Sequence, residues 1–228
     1  MPSERELRSR SEAMIYEAVN GPVLARVPQS AKRVLDLGCG AGTLGERLRK
    51  ELDCQVIGVT CSESEAELAR KCLNQVLVRD LNSFDPAEVG SFDCIICSHV
   101  LEHLFDPHEL LKRLRRSLLP GGALIVALPN VLHWRQRLQF VRGRFEYTEG
   151  GLMDRTHYRF FDWQTAKALL DDSGYRVIEA QACGSFPLSR FLFGLGDWMD
   201  RVTLRIFPGL LGFQFVFVCA PGQSNEIK

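Results

Sequence analysis

The run Val34-Leu35-Asp36-Leu37-Gly38-Cys39-Gly40-Ala41-Gly42 constrains the fold of this chain more than any other feature. A short apolar stretch, Arg33 to Leu37, enters a turn with glycine at every second position. It leaves through Thr43 to Leu52, where Leu44, Leu48 and Leu52 share one helical face. Strand, glycine turn and helix form the opening of a doubly wound sheet, in which ligands bind beyond the carboxyl ends of the strands where strand order reverses. The same alternation continues downstream. Strand patterns at Gln55 to Val59, Gln75 to Val78, Phe92 to Ser98 and Ala123 to Leu128 are interleaved with helical patterns at Glu63 to Leu73 and His108 to Leu118. A helix over Trp163 to Ser173 and strands over Tyr175 to Ala182 and Phe213 to Ala220 close the chain. Such alternation predicts an α/β fold with a mostly parallel sheet and helices on both faces.

Glycines at 38, 40 and 42 permit a tight backbone path and close approach of a ligand, and the helix behind them offers its positive end to an anionic group. Nicotinamide enzymes use a similar turn, so the spacing has to decide. The dinucleotide pattern GxGxxG requires glycine at position 43, which is Thr43. Asp36, just before the first glycine, suits a cationic sulfonium and ammonium ligand better than a pyrophosphate.

With 228 residues, 46% of them hydrophobic, the chain is of a size for one domain with one core. The 28 basic residues balance the 28 acidic ones, so no net field draws the protein to nucleic acid. The amino-terminal Met1-Pro2-Ser3-Glu4-Arg5-Glu6 lacks the apolar segment of a secretory signal, which predicts a cytoplasmic protein. Most of the eight cysteines fall in apolar runs and read as buried thiols. Cys94 and Cys97 have CxxC spacing, but strand alternation points them to opposite faces and no second pair follows at a zinc interval, so no metal site is expected there.

Three stretches decorate the core pattern. A leading helix is expected over Glu4 to Asn20, closed by Gly21-Pro22. From Pro129 to Phe161 the periodicity fails, and this aromatic, charged stretch reads as a lid or loop. The third, Phe186 to Leu211, is oilier than a connection requires, while Arg190, Asp197, Asp200, Arg201, Arg205 and Pro208 exclude a spanning helix. A cap over a small-molecule pocket, a homodimer surface and a weak interfacial membrane contact are the readings of it, in that order.

Four motifs then fall in order: Val34 to Gly42; Arg79-Asp80-Leu81; Phe92-Asp93 leading into Ser98-His99-Val100-Leu101-Glu102-His103; and Leu119-Pro120-Gly121-Gly122. Across about residues 30 to 182 the chain resembles the class I S-adenosylmethionine-dependent methyltransferases, the broad group that includes ubiquinone-biosynthesis O-methyltransferases and many small-molecule and sugar methyltransferases. The resemblance implies a Rossmann-like domain whose seven-stranded sheet has an antiparallel last strand. Segments 1–22, 129–161 and 184–212 would then lie over the acceptor pocket. It implies S-adenosylmethionine as cofactor, its methionine part at Asp36, Gly38, Cys39, Gly40 and Gly42, and its adenine at Asp80 and Leu81. Ser98 and His99 would lie beside the sulfonium, with Thr60 and Cys61 at the ribose edge. Asp80 could instead cap a turn. At position 60 most relatives carry an acid for the ribose diol; threonine offers one hydroxyl and no charge. Cyclopropane-forming lipid methyltransferases show a similar Gly-Val-Thr run, which keeps a lipid acceptor in view.

Methyl transfer from a sulfonium needs alignment and a closed pocket rather than a metal. An alcohol or phenol acceptor also needs a base, and histidine suits that task. His99, His103, His133 and His157 are the candidates. His157 lies in Asp154-Arg155-Thr156-His157-Tyr158-Arg159-Phe160-Phe161, which looks like a segment that approaches the acceptor pocket in a subset of these enzymes. The sequence therefore nominates His157, His99 and Asp154 for catalysis, against the alternative that Asp154, Arg155 and His157 form an ion-paired network holding the loop. Transfer to nitrogen, carboxylate or a lipid carbon, and a catalytically silent cofactor-binding module, are the rival functions.

Overall fold

The computed structural model describes residues 19–185 and 195–222. Most of the expected leading helix and residues 186–194 lie outside them. A seven-stranded sheet runs in the order β3-β2-β1-β4-β5-β7-β6. Its strands are β1 (Arg33–Leu37), β2 (Gln55–Thr60), β3 (Gln75–Val78), β4 (Phe92–Ser98), β5 (Leu118–Pro129), β6 (Tyr175–Gly184) and β7 (Gly212–Pro221). β1 to β5 pair in parallel, whereas β7 inserts antiparallel between β5 and β6. Strand order reverses between β1 and β4, and ligand crevices form at such a point.

Helices cover both faces. In chain order they are α1 (Gly21–Leu24), α2 (Thr43–Leu52), α3 (Glu63–Ala69), α4 (Pro107–Arg116), α5 (Trp134–Val141), α6 (Trp163–Asp172), α7 (Gly196–Ile206) and α8 (Pro208–Leu211). Two buried clusters flank the sheet. Leu110, Leu111 and Leu114 of α4 and Ala166, Leu169 and Leu170 of α6 pack on Ile95 and Cys97. On the opposite face Val23 of α1 and Leu48 and Leu52 of α2 pack on Cys94 and Ile96. The CxxC pair is thus split between faces, as alternation requires. All eight cysteines are free.

Local chemistry fixes the helix starts. Ser62 Oγ accepts from Glu65 N at 3.3 Å at the start of α3, Asp106 caps α4 ahead of Pro107, and Asp162 forms a capping box with Thr165 on α6. One sequence expectation fails: the 129–161 stretch is not loop throughout, since α5 lies within it. No residue of α5 is buried, so its apolar groups have no inward stripe for periodicity to reveal. The two inserted stretches meet. Asn130 Nδ2 donates to Gly209 O and Gly212 O at 3.0 and 2.7 Å, and a cleft of about 590 Å³ opens among Leu132, Arg137, Trp163, Arg205, Phe207 and Leu210. Among the described residues no helix is long and apolar enough to cross a membrane.

Candidate active site

The turn after β1 is built by backbone pairing and three left-handed glycines. Gly38 N and Cys39 N both donate to Val59 O, at 2.8 and 3.0 Å, tying the turn to the end of β2. Gly38, Gly40 and Gly42 have φ of +70°, +53° and +86°, a region that L side chains rarely adopt. A Cβ on Gly38 would stand 2.4 Å from Val100 Cγ2, and one on Gly42 would meet Cys72 Sγ at 2.8 Å. Gly40 differs. A Cβ there meets nothing within 4 Å, so open space faces it.

Asp36 is 2% exposed, and its Oδ2 is buried without a hydrogen-bond partner. Burial pushes its carboxyl up to about 7. An orphaned carboxylate oxygen at the carboxyl end of β1, two residues before the glycine turn, fits a ligand that brings its own cation and hydrogen-bond donors. The ammonium and sulfonium of S-adenosylmethionine meet that requirement.

The other expected cofactor residues also stand at carboxyl ends of neighbouring strands: Thr60 and Cys61 at β2, Asp80 and Leu81 just after β3, Ser98 and His99 at β4. Asp80 Oδ1 accepts from Asn82 N and Asn82 Nδ2, each at 2.9 Å, so this carboxylate does act as a turn cap. Leu81 is half-buried against the core, and Cys61 is exposed. Thr60 is buried and donates its hydroxyl to Glu65 Oε2 at 2.5 Å. A carboxylate from α3 is thereby held against the strand end that lacks an acid of its own. Nothing in the sequence pattern marked Glu65.

At the end of β4, His99 has φ +55°, one of two described non-glycine residues in the left-handed region. This backbone turns its ring between two partners: Nδ1 lies 3.3 Å from Glu102 Oε1, and Nε2 lies 2.8 Å from Gln214 Oε1. Asn20 Nδ2 donates to the same Gln214 oxygen at 3.0 Å and to Ser98 Oγ at 3.2 Å. Burial works against a charge on His99, but the hydrogen bond and negative charge of Glu102, with Gln214, hold the imidazole above its ordinary range.

The segment bearing His157 docks on the turn after β4. Tyr158 N and Arg159 N both donate to Glu102 O, at 2.9 and 3.0 Å, and His157 packs edge-on to His103 with ring centroids 4.7 Å apart. Asp154 Oδ1 accepts from Thr156 N and Thr156 Oγ1 at 2.8 and 2.7 Å. Burial opposes the Asp154 charge, yet the Thr156 bonds outweigh it and keep the carboxyl low. Burial, with the charge of His103 adding to it, pushes His157 below its usual range against the pull of Glu102 and Asp154. Arg155 pairs with Glu149 at 2.6 Å on the surface rather than with Asp154 or His157. His133 is buried, with its ring against Trp134 and Phe213. His99 and His157 therefore do not touch; each faces Glu102, whose importance the sequence reading missed although it lies three residues from His99.

Residues 13–180 match the family described as a methyltransferase domain. An uncharacterized 37.1 kDa protein in transposon TN4556 of Streptomyces fradiae is 36% identical over 133 residues, which are 55% of this chain and 37% of that protein. The ubiquinone biosynthesis O-methyltransferase of Xanthomonas oryzae pv. oryzae is 33% identical over 114 residues, 47% of each chain. The chain thus spans less than half the length of these curated relatives. A SAM dependent methyltransferase from Archaeoglobus fulgidus superposes with a TM-score of 0.60 at 19% identity, over 95% of this chain and 94% of that one, a likeness of fold. With the family match running from ahead of β1 into β6, across the glycine turn and the His99 turn, the chain belongs to the methyltransferase-domain family and has the class I S-adenosylmethionine-dependent methyltransferase fold.

Proposed function

We propose that this protein is a cytoplasmic O-methyltransferase that methylates a hydroxyl of a small organic or sugar-like acceptor. The observation that carries this reading is the placement of His99 at the switch point beside the glycine turn, between the buried carboxylate of Glu102 and Gln214. S-adenosylmethionine, when bound, supplies a methyl group already activated by a positive sulfur. The protein's own residues then have three tasks. Asp36 and the turn from Gly38 to Gly42 hold the cationic end of the cofactor. Thr60 and Glu65 face the ribose diol, with Glu65 in place of the acid absent at position 60. His99, with Nδ1 donating to Glu102, accepts the proton of the acceptor hydroxyl at Nε2 once the acceptor displaces the Gln214 side chain from that nitrogen, and Glu102 raises its basicity. The segment bearing Asp154 and His157 builds the wall of the acceptor side and holds Glu102 in place through Tyr158 N and Arg159 N, with the segments 129–161 and 195–211 above it.

His99→Ala is expected to leave S-adenosylhomocysteine affinity within a few-fold of the parent while kcat falls about 10²–10⁴-fold, the usual contribution of a positioned base. A single-turnover assay against a panel of phenols, alcohols and sugars checks it. Unchanged turnover removes His99 as the base and favours an acceptor that needs none, such as a carboxylate. Glu65→Ala is expected to weaken S-adenosylhomocysteine by about tenfold, the effect of losing a hydrogen bond to a charged group. Titration calorimetry reads it, and unaltered affinity leaves the ribose without this partner.

A further inference from the structure

Against the expectation that no metal takes part, the geometry points to a divalent transition-metal site formed by Glu102, His103 and His157. Each offers one ligand atom, and these atoms lie within 4.8 Å of one another. A cation about 2.0–2.2 Å from imidazole and carboxylate ligands needs donors roughly 3–4 Å apart, so the three side chains require only small rotations.

The hydrogen bonds argue for a ligand rather than for a self-contained network. Glu102 is fully buried; Oε1 faces His99, while Oε2 is buried with no partner. His157 Nδ1 is buried with no partner as well. In His103, Nδ1 lies 3.2 Å from the carbonyl oxygen of Thr156, which can only accept, so Nδ1 carries the proton and the neutral ring has its lone pair on Nε2. Thr156 Oγ1, whose own proton goes to Asp154, lies 3.0 Å from the same nitrogen. An imidazole fixed in this way, with one nitrogen donating to a held acceptor, is the usual state of a metal-bound histidine. The two buried orphan atoms and the oriented lone pair belong to three residues whose ligand atoms lie within 4.8 Å of one another, and a cation satisfies all three.

Two imidazoles and one carboxylate select Mn²⁺, Fe²⁺, Co²⁺ or Zn²⁺ over Mg²⁺, and three protein ligands leave coordination positions open. On the reading given above, an acceptor hydroxyl fills one of these positions and loses its proton more readily to His99. The role of the cation rests on that reading, whereas its binding does not.

Mn²⁺ is the probe of choice, because the eight cysteines would take up softer cations elsewhere. Titration calorimetry of the full chain, stripped with chelator, is expected to show one equivalent of Mn²⁺ bound at micromolar affinity or better and Mg²⁺ at least tenfold weaker. His157→Ala and Glu102→Gln should each weaken Mn²⁺ by 10-fold or more. His157→Ala should keep its S-adenosylhomocysteine affinity, which reports an intact fold. No Mn²⁺ binding by the parent protein, or equal affinity in both variants, overturns the site. Mn²⁺ binding without S-adenosylhomocysteine binding overturns the cofactor reading instead and leaves the cation site standing.

Discussion

Gly40→Val abolishes S-adenosylhomocysteine binding in titration calorimetry, an expected loss of at least about 100-fold, or 2.7 kcal/mol. Gly40 is the one glycine of the turn that a side chain would not drive into the protein, since a Cβ there has nothing within 4 Å, whereas Cβ atoms on Gly38 and Gly42 collide with Val100 and Cys72. Its φ of +53° costs a valine about 1–2 kcal/mol. That is a small part of the 5–15 kcal/mol that holds a typical domain together, so the variant folds. What valine fills is the space kept for the ligand. Gly40→Ala is expected to fall between the two, with a thermal midpoint close to the parent's. Full affinity in Gly40→Val means that the open face of the turn is not where the cofactor lies.

The second large effect is a gain of stability at the expense of binding. Asp36→Asn is expected to raise the ligand-free thermal midpoint at pH 8 and to abolish S-adenosylhomocysteine binding. The carboxyl titrates at about 7 in the folded protein and at its ordinary 3.8 when unfolded. Between these values the folded state holds a proton that the unfolded state has released, so stability falls as pH rises through the window from 3.8 to 7. At pH 8 the full cost is present, about 4 kcal/mol from the 1.36 kcal/mol carried by each pKa unit. An asparagine never ionises, but its buried amide costs about 1–3 kcal/mol of its own, which leaves a net gain of roughly 1–3 kcal/mol. That corresponds to several degrees for a chain of this size. The gain should shrink towards pH 4, where the folded aspartic acid is fully protonated and the pH approaches the ordinary 3.8 of the unfolded one. Thermal unfolding of the two proteins from pH 4 to pH 8 checks this, and a difference that ignores pH removes the buried ionised carboxylate from the account.

The elements legible in the sequence are those whose apolar residues are both periodic and buried. Thr43–Leu52 and Phe92–Ser98 fall on the boundaries that their patterns predict because each meets the core along one face or both; Gln75–Val78 does so as well, though its Val76 and Leu77 are only partly buried against the two clusters. Residues 134–141 gave no such signal: Leu138 and Val141 are exposed, and no residue of the helix they belong to is buried. The strand-end placement of the proposed cofactor residues was readable because they follow successive strands, so order along the chain is order in space. The contacts around His99 and His157 were not. Gln214 reaches His99 from 115 residues away because β7 enters between β5 and β6, and His157 reaches Glu102 through a loop docked by two backbone hydrogen bonds. Glu65 escaped notice because only its hydrogen bond with the Thr60 hydroxyl brings it to the end of β2, a contact that propensity does not encode.

The antiparallel entry of β7 has an evolutionary consequence. It joins the β6 edge to a core that ends at β5, so the sheet has one border, β3-β2-β1, beside the cofactor turn and another, β5-β7-β6, beneath the inserted stretches. Drift at the second border leaves the pairing register of the first untouched. On the function proposed above, a lineage can therefore exchange acceptors by rewriting the later half of the chain while inheriting its methyl donor unchanged.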